Sequence, residues 1–331
     1  MRTMKDRIAV VAFMLLAAGC TGATPSTRTS GAGGAASTAS PSPGVANPFK
    51  VTARFSASSL GLKNPQHFAI GPYGDLYITD NSDRVTVVSP HGKVLRTWGG
   101  PGDGPGQFSF AGEPPDVHAS IAVGEDGKVY VADSGNARVE VFSATGEFIR
   151  QFGTFGSGKG QFLAVFDVAV DRDGNIYVAD DQALYLTKFS PDGKVEWRIS
   201  GAGANDPDLV GHFHLATVDS HGRLVTLNDD VGRTMYLDAR GRKVDAFATG
   251  GCDVTVDDAG YTYVNRDDDC DVGLTQAFDR THRLVGEWRG PDNPLSSPVQ
   301  FGPNGEAFAL SQWTPSLYAS ILQLEISLPG R

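Results

Sequence analysis

"DVAVDRDGNIYVAD", residues 167–180, is a short apolar run, a polar turn ending in Gly174, and a second apolar run. Apolar residues alternate with polar or small ones in both runs, which is the period of a β-strand. Glycine closes the turn because the backbone there needs a positive φ that a side chain penalises. The stretch therefore reads as a β-hairpin. The same pattern recurs as "HFAIGPYGDLYITD" from 67, "SIAVGEDGKVYVAD" from 120, "LATVDSHGRLVTLN" from 215, "DVTVDDAGYTYVNR" from 253 and "PVQFGPNGEAFALS" from 298. The turn glycines are Gly74, Gly127, Gly174, Gly222, Gly260 and Gly305, spaced by 53, 47, 48, 38 and 45 residues.

Each hairpin leads into two further strands, as in "RVTVVSPHGKVLRTW", "RVEVFSATGEFIRQF" and "LTKFSPDGKVEWRI". The unit is thus four antiparallel strands, and helical periodicity is absent. Repeated four-stranded units of about 45 residues indicate a β-propeller. The last unit lacks a fourth strand, with only 306–311 and 318–326 following Gly305. "FKVTARFS" at 49–56 resembles the fourth strands "GKVLRTWG" and "GEFIRQFG" and precedes the first hairpin. The expected fold is therefore an all-β, six-bladed propeller of four-stranded antiparallel blades, closed by the N-terminal strand. Closure removes two exposed sheet edges.

"FGTFGSGKGQF" at 152–162 contains the Gly-x4-Gly-Lys spacing of a phosphate-binding loop. Its twin, "WGGPGDGPGQF" at 98–108, has Pro105 in place of Lys159. Gly160 stands where Mg²⁺ binding needs Ser or Thr, and no helix follows. These loops read as bends between blades, with Gln107/Phe108 and Gln161/Phe162 as repeated anchors, and no nucleotide site is expected. The combination of G-x-G-Q-F, "VAVDRDGNIYVAD" and "ADSGNARVEVF" resembles the NHL repeat. The likeness is strong over 64–189, fair over 190–290 and weak beyond. It implies a six-bladed propeller, a fold that hosts binders and enzymes alike.

The chain has 331 residues and a formal charge of -10, which argues against a nucleic-acid partner. Residues 1–19 combine cations (Arg2, Lys5, Arg7) with a short apolar run and small residues before Cys20. They resemble a bacterial lipoprotein signal peptide, with Ala17 where such signals usually carry Leu. The resemblance implies cleavage before Cys20, acylation (palmitate) of its thiol, and attachment to the cell membrane on the extracytoplasmic side. Residues 20–48, nearly all Gly, Ala, Ser, Thr or Pro, read as a flexible tether, and 49–331 as the propeller. In such a compartment Cys252 and Cys270, which flank a hairpin, are expected to form a disulfide, with free thiols or half a metal site as alternatives.

First strands lie nearest a propeller's axis, and Ala69, Ala122, Ala169, Thr217 and Thr255 are the small residues expected there. The strand entrances hold His67, Ser120, Asp167, Leu215, Asp253 and Pro298, with His118 and His214 nearby in sequence. Of these, His67, Ser120, Asp167, Asp253, His118 and His214 are candidate ligands at one channel mouth. Imidazole and carboxylate together suit Zn²⁺, or Ca²⁺ where carboxylates dominate. Peptide-amidating lyases, which have related propellers, hold a metal there with several His. No nucleophile elbow or catalytic triad stands out, so no catalytic residue is assigned.

The loops joining second to third strands vary most and carry Asp229, Asp230, Asp267, Asp268, Asp269 and Asp271. They are the candidate binding face. Asp80 with Arg84, and Asp133 with Arg138, read as structural ion pairs. The expectation is a monomeric, membrane-tethered binder of a protein or cell-envelope glycan. The alternative is a metal-dependent lyase or hydrolase at the channel mouth.

Overall fold

The computed structural model describes residues 45–110, 119–202, 205–228, 230–251, 253–266, 274–289, 299–311 and 319–329. Cys20, Cys252 and Cys270 lie outside them. Among the described residues no helix is long and apolar enough to cross a membrane.

The first strand, β1 (Phe49–Ser56), belongs to the last blade. Blade 1 is β2 (Pro65–Ile70), β3 (Leu76–Asp80), β4 (Arg84–Val88) and β5 (Val94–Gly99). Blade 2 is β6 (Ile121–Val123), β7 (Val129–Asp133), β8 (Arg138–Phe142) and β9 (Phe148–Phe152). Blade 3 is β10 (Val165–Val170), β11 (Ile176–Asp180), β12 (Tyr185–Phe189) and β13 (Val195–Ser200). Blade 4 is β14 (His214–Val218), β15 (Leu224–Asn228), β16 (Arg233–Leu237) and β17 (Lys243–Ala248). Blade 5 is β18 (Asp253–Val256), β19 (Thr262–Arg266), β20 (Leu274–Phe278) and β21 (Leu284–Arg289). Blade 6 is β22 (Gln300–Phe301), β23 (Ala307–Ser311), β24 (Ser320–Ile326) and then β1. The chain folds as an all-β six-bladed propeller, as its repeats require.

Hydrophobic burial is organised between blades rather than within them. Six buried clusters each join residues of two neighbouring blades, one cluster per junction. The Tyr of the repeat, at 77, 130, 177 and 263, is buried in every blade that has it. The β1–β24 ladder runs from Phe49 opposite Ile326 to Ser56 opposite Ser320. Phe49 stacks on Trp288 at 5.5 Å and meets Tyr263 edge-on at 6.1 Å, both in blade 5. Val45–Pro48, compositionally part of the tether, already lie on the folded unit. The Ala46 carbonyl accepts from the Glu287 amide at 3.0 Å, and the Pro48 carbonyl from Ser327 at 2.9 Å.

The twin glycine loops have the same geometry. Phe162 donates its amide to the Thr154 carbonyl and returns its own carbonyl to Gly156, as Phe108 does with Gly100 and Gly102. Gly153 has φ 94°, and a Cβ there would stand 2.4 Å from the buried Phe162 ring. The loop carbonyls converge on a cation. Arg198 donates to the carbonyls of Ser157, Gly158 and Gln161, and Arg138 to those of Asp103, Gly104 and Gln107. A phosphate loop instead aims N–H groups inward, so this polarity is opposite to a nucleotide site. Lys159 is exposed.

Of the two expected ion pairs, one forms. Arg138 Nε lies 2.8 Å from Asp133 and its Nη2 lies 2.7 Å from Glu140, all three buried. Burial pushes the Glu140 carboxyl up to about 7, with Arg138 acting against it. No ion pair joins Arg84 to Asp80 among the described residues, and Arg84 is exposed. Asp80 turns instead to backbone: it accepts from the amides of Lys63 at 2.8 Å and Ser82 at 3.0 Å. Asp133 and Asp180 likewise accept the amides of Ser109 and Leu163, each at 2.8 Å. The repeat's terminal Asp is thus a strap onto the segment that enters its own blade. In blade 4 Asn228 replaces it and donates to the Val210 carbonyl at 2.8 Å and that of Asp208 at 3.1 Å.

Deleting residues 49–56 removes a strand from blade 6 and apolar packing from two junctions. Thermal unfolding should shift down by a whole element's worth, several kcal/mol; an unchanged melting temperature contradicts closure by β1. Arg138→Met strands two buried carboxylates and should cost about 3–5 kcal/mol in denaturant unfolding. Arg84→Met, exposed and unpaired with Asp80, should stay within about 0.5 kcal/mol of wild type.

Candidate functional site in the central channel

The inner strands β2, β6, β10, β14 and β18 are consecutive neighbours around the axis. Small side chains permit this: Ala69, Ala122, Ala169 and Thr255 are buried. One level of the ring is defined by ladder partners. His67 lies opposite Thr79, Asp167 opposite Ala179 and Asp253 opposite Asn265, and the Ser120 carbonyl accepts from the Ala132 amide at 2.9 Å.

Blade 4 departs from the sequence alignment at this level. The sequence spacing puts Leu215 there, but the ladder pairs His214 with Leu227, and Leu227 is the equivalent of Thr79 and Ala179. A bulge between Leu215 and Thr217 restores the register further along. In blades 1 and 3 the bulge comes earlier, between Pro65 and His67 and between Val165 and Asp167. A bulge inserts one residue and re-aims the side chains on one side of it. His214 therefore joins the ring with His67, Ser120, Asp167 and Asp253. His118 lies outside the described residues.

The ring is electrostatically coupled. Burial pushes the Asp253 carboxyl up to about 7, the Asp167 charge pushes the same way, and His214 opposes both. Burial holds the His67 imidazole below its ordinary value, Asp167 opposes this and His214 adds to it. His67 is therefore neutral at pH 7, and Asp253 exchanges its proton near that pH. His214 is fixed edge-on against Phe166 at 4.8 Å. Ser120 has a structural job: its hydroxyl accepts from the Val168 amide at 3.3 Å and ties blade 2 to blade 3.

Two carboxylates and two imidazoles are suitable donors for a metal. Among the described residues, however, no three such groups are grouped to hold one ion. Neither Zn²⁺ nor Ca²⁺ is carried into the reading below.

On the face bearing the second-to-third-strand loops, Asp230 is described, whereas Asp229, Asp267, Asp268, Asp269 and Asp271 are not. Asp230 accepts the amide of His212 at 2.8 Å and lies 2.7 Å from its Nδ1, and His212 Nε2 stands 3.8 Å from Asp181. Sequence reasoning overlooked His212, which belongs to no repeat position.

Residues 120–196, blades 2 and 3, match the family model DUF5128, described as a 6-bladed beta-propeller. NHL repeat-containing protein 3 of Homo sapiens is 31% identical over 99 residues, 28% of this chain and 26% of that protein. The chain thus spans about a quarter of that curated relative's length. Among solved structures, a streptogramin B lyase aligns with TM-score 0.57 at 12% identity over 84% of this chain and 98% of its own. A catalytically inactive virginiamycin B lyase from Staphylococcus aureus, solved with quinupristin, aligns with TM-score 0.56 at 10% identity over 84% and 100%. At such identities the likeness is one of fold.

The raised pKa of Asp253 fixes a pH dependence. The folded protein retains a proton that the unfolded chain releases above about pH 4, so stability falls as pH rises towards 7 and levels off above it. Asp253→Asn removes this share. The melting-temperature drop between pH 5 and pH 8 should shrink by about 2 °C or more; an undiminished drop contradicts the assignment. Repeats, ladder and ring closure converge: this chain is an all-β six-bladed propeller, similar over 99 residues to an NHL repeat-containing protein.

Proposed function

We propose that the protein is a membrane-anchored, extracytoplasmic binding module that receives a partner's cationic or hydrogen-bond-donating group at its channel mouth. One observation carries this reading: Asp167 and Asp253 share a buried ring with imidazoles, of which His67 is neutral. Carboxylates in a low-dielectric channel focus a negative field. A bound cation lowers the cost of ionising Asp253, so binding tightens as pH rises through 7. The partner class is a protein or a cell-envelope glycan bearing such a group. The signal-like segment ending at Cys20 and the tether after it support lipid anchoring, with the propeller held off the membrane.

A second reading, a lyase or hydrolase at the same mouth, is favoured by the near-neutral Asp253, which has the protonation behaviour of a general acid or base. The two lyase-like folds support the architecture of that reading and not its chemistry.

The test is capture from the organism's own envelope extract by the mature protein and by its Asp167→Asn/Asp253→Asn variant. A binder retains the same partner with wild type only, and loses it as salt rises. Equal capture by both proteins contradicts the channel mouth as the site. Conversion of an extract component by wild type, abolished in Asp253→Asn, selects the enzyme reading. Cys20→Ser should move the protein from the membrane to the soluble fraction; unchanged fractionation and an unacylated N-terminal peptide contradict the anchor.

A further inference from the structure

A cleft of about 460 Å³ opens between blades 4 and 5, on the face that carries the glycine turns. The first-to-second-strand turns of the two blades wall it with His221 and Asp258, and the third-to-fourth-strand turn of blade 5 closes it with Arg280 and His282. Tyr236 and Val256 add an apolar flank.

His282 is out of pattern. The equivalent turns of blades 1 to 4 carry Gly92, Gly146, Gly193 and Gly241, at φ 76°, 90°, 84° and 75°. His282 holds the same conformation at φ 62°, and its amide donates to Asp279 at 2.8 Å as that of Gly241 does to Asp238. A side chain is strained in this region, and such residues concentrate at functional sites. In blades 2 and 4 the preceding blade's Trp98 or Trp197 packs on the bare glycine. Here Phe247 lies flat against the imidazole, with centroids 4.0 Å apart and planes 7° apart. The stack holds Nε2 of the ring 3.3 Å from Asp245 at the cleft.

The cleft's charges are largely matched in pairs. Arg223 lies 2.7 Å from Asp219 and sits 4.4 Å over the Tyr236 ring. Asp279 pairs with Arg283 at 3.1 Å, and Asp245 lies 3.3 Å from the His282 imidazole. Matched pairs offer little net field to a small ion. They offer closely spaced donors and acceptors beside an apolar flank, which is how a protein holds adjacent hydroxyl groups.

We propose that this cleft binds a neutral saccharide, with the half-exposed Asp245 accepting from ring hydroxyls, Arg223 and His282 donating to them, Asp219 holding Arg223 in place, and Val256 facing its C–H surface. The volume accommodates one or two sugar rings. The inference is independent of the channel reading.

Calorimetric titration of the mature protein with neutral mono- and disaccharides, N-acetylated ones included, tests it, with lysine and inorganic phosphate as charged controls. At least one saccharide should bind, and His282→Gly and Asp245→Asn should each weaken it tenfold or more. Because glycine relieves the φ strain, His282→Gly should not lower the melting temperature by more than about 3 °C. Asp167→Asn/Asp253→Asn should bind the saccharide unchanged. The proposal is overturned if no saccharide binds, if only lysine or phosphate binds, or if His282→Gly binds normally. A larger fall in melting temperature for His282→Gly overturns it as well, marking the imidazole as core packing, and so does loss of saccharide binding in the channel variant.

Discussion

The structure depends on ring closure. Each blade buries its apolar faces against two neighbours, so a blade at an open end would leave one face wet and one sheet edge bare. β1 solves both problems by pairing with β24 while its Phe49 reaches the Trp288 and Tyr263 rings of blade 5. Closure by a strand from the far end of the chain couples the two ends of the folded unit. The inner strands then meet around a channel whose width is set by alanine and threonine.

Polar groups at the junctions follow the same economy of position. The terminal Asp of the second strand, exemplified by Asp80, Asp133 and Asp180, is spent on backbone amides of the segment entering its own blade. The glycine loops aim carbonyls at Arg138 and Arg198, which come from different strands, β8 and β13. Two side chains reaching the same kind of loop from different positions show that the loop's carbonyl cradle is the constant element. A buried guanidinium with carboxylates and carbonyls around it loses little by leaving water, because each donor finds a partner.

The two candidate sites lie at different places and work by different electrostatics. The channel mouth gathers two carboxylates beside a neutral imidazole, and Asp253 exchanges its proton near pH 7. The cleft between blades 4 and 5 holds Asp219 and Asp279 in ion pairs with arginines and keeps a histidine at positive φ where the turns of blades 1 to 4 use glycine. The first suits a cationic group, the second a neutral one rich in hydroxyls. Propellers tolerate such separate sites because turns and loops vary while the sheets hold their register.

Much was legible in the sequence because it rests on local chemistry repeated six times. Period-two apolar runs, turn glycines and the orphan strand at 49–56 specify the hairpins, the blade count and the closure, since each is a backbone requirement of a few adjacent residues. The phosphate-loop resemblance could be dismissed on the same local grounds. Other features required the folded chain. The sequence places His214 near the channel mouth but assigns the strand entrance to Leu215, because a bulge shifts this blade by one residue and bulges depend on how strands meet. Arg84 and Arg138 look alike beside their aspartates, but only Arg138 has a glycine loop folded over it from the preceding segment. His282 looks like an ordinary turn residue until Phe247 and Asp245 of the neighbouring blade are brought against it. Local sequence determined which strands exist and in what order. Packing between blades, which joins residues far apart in the chain, decided which polar side chains face one another and which are left to meet a ligand.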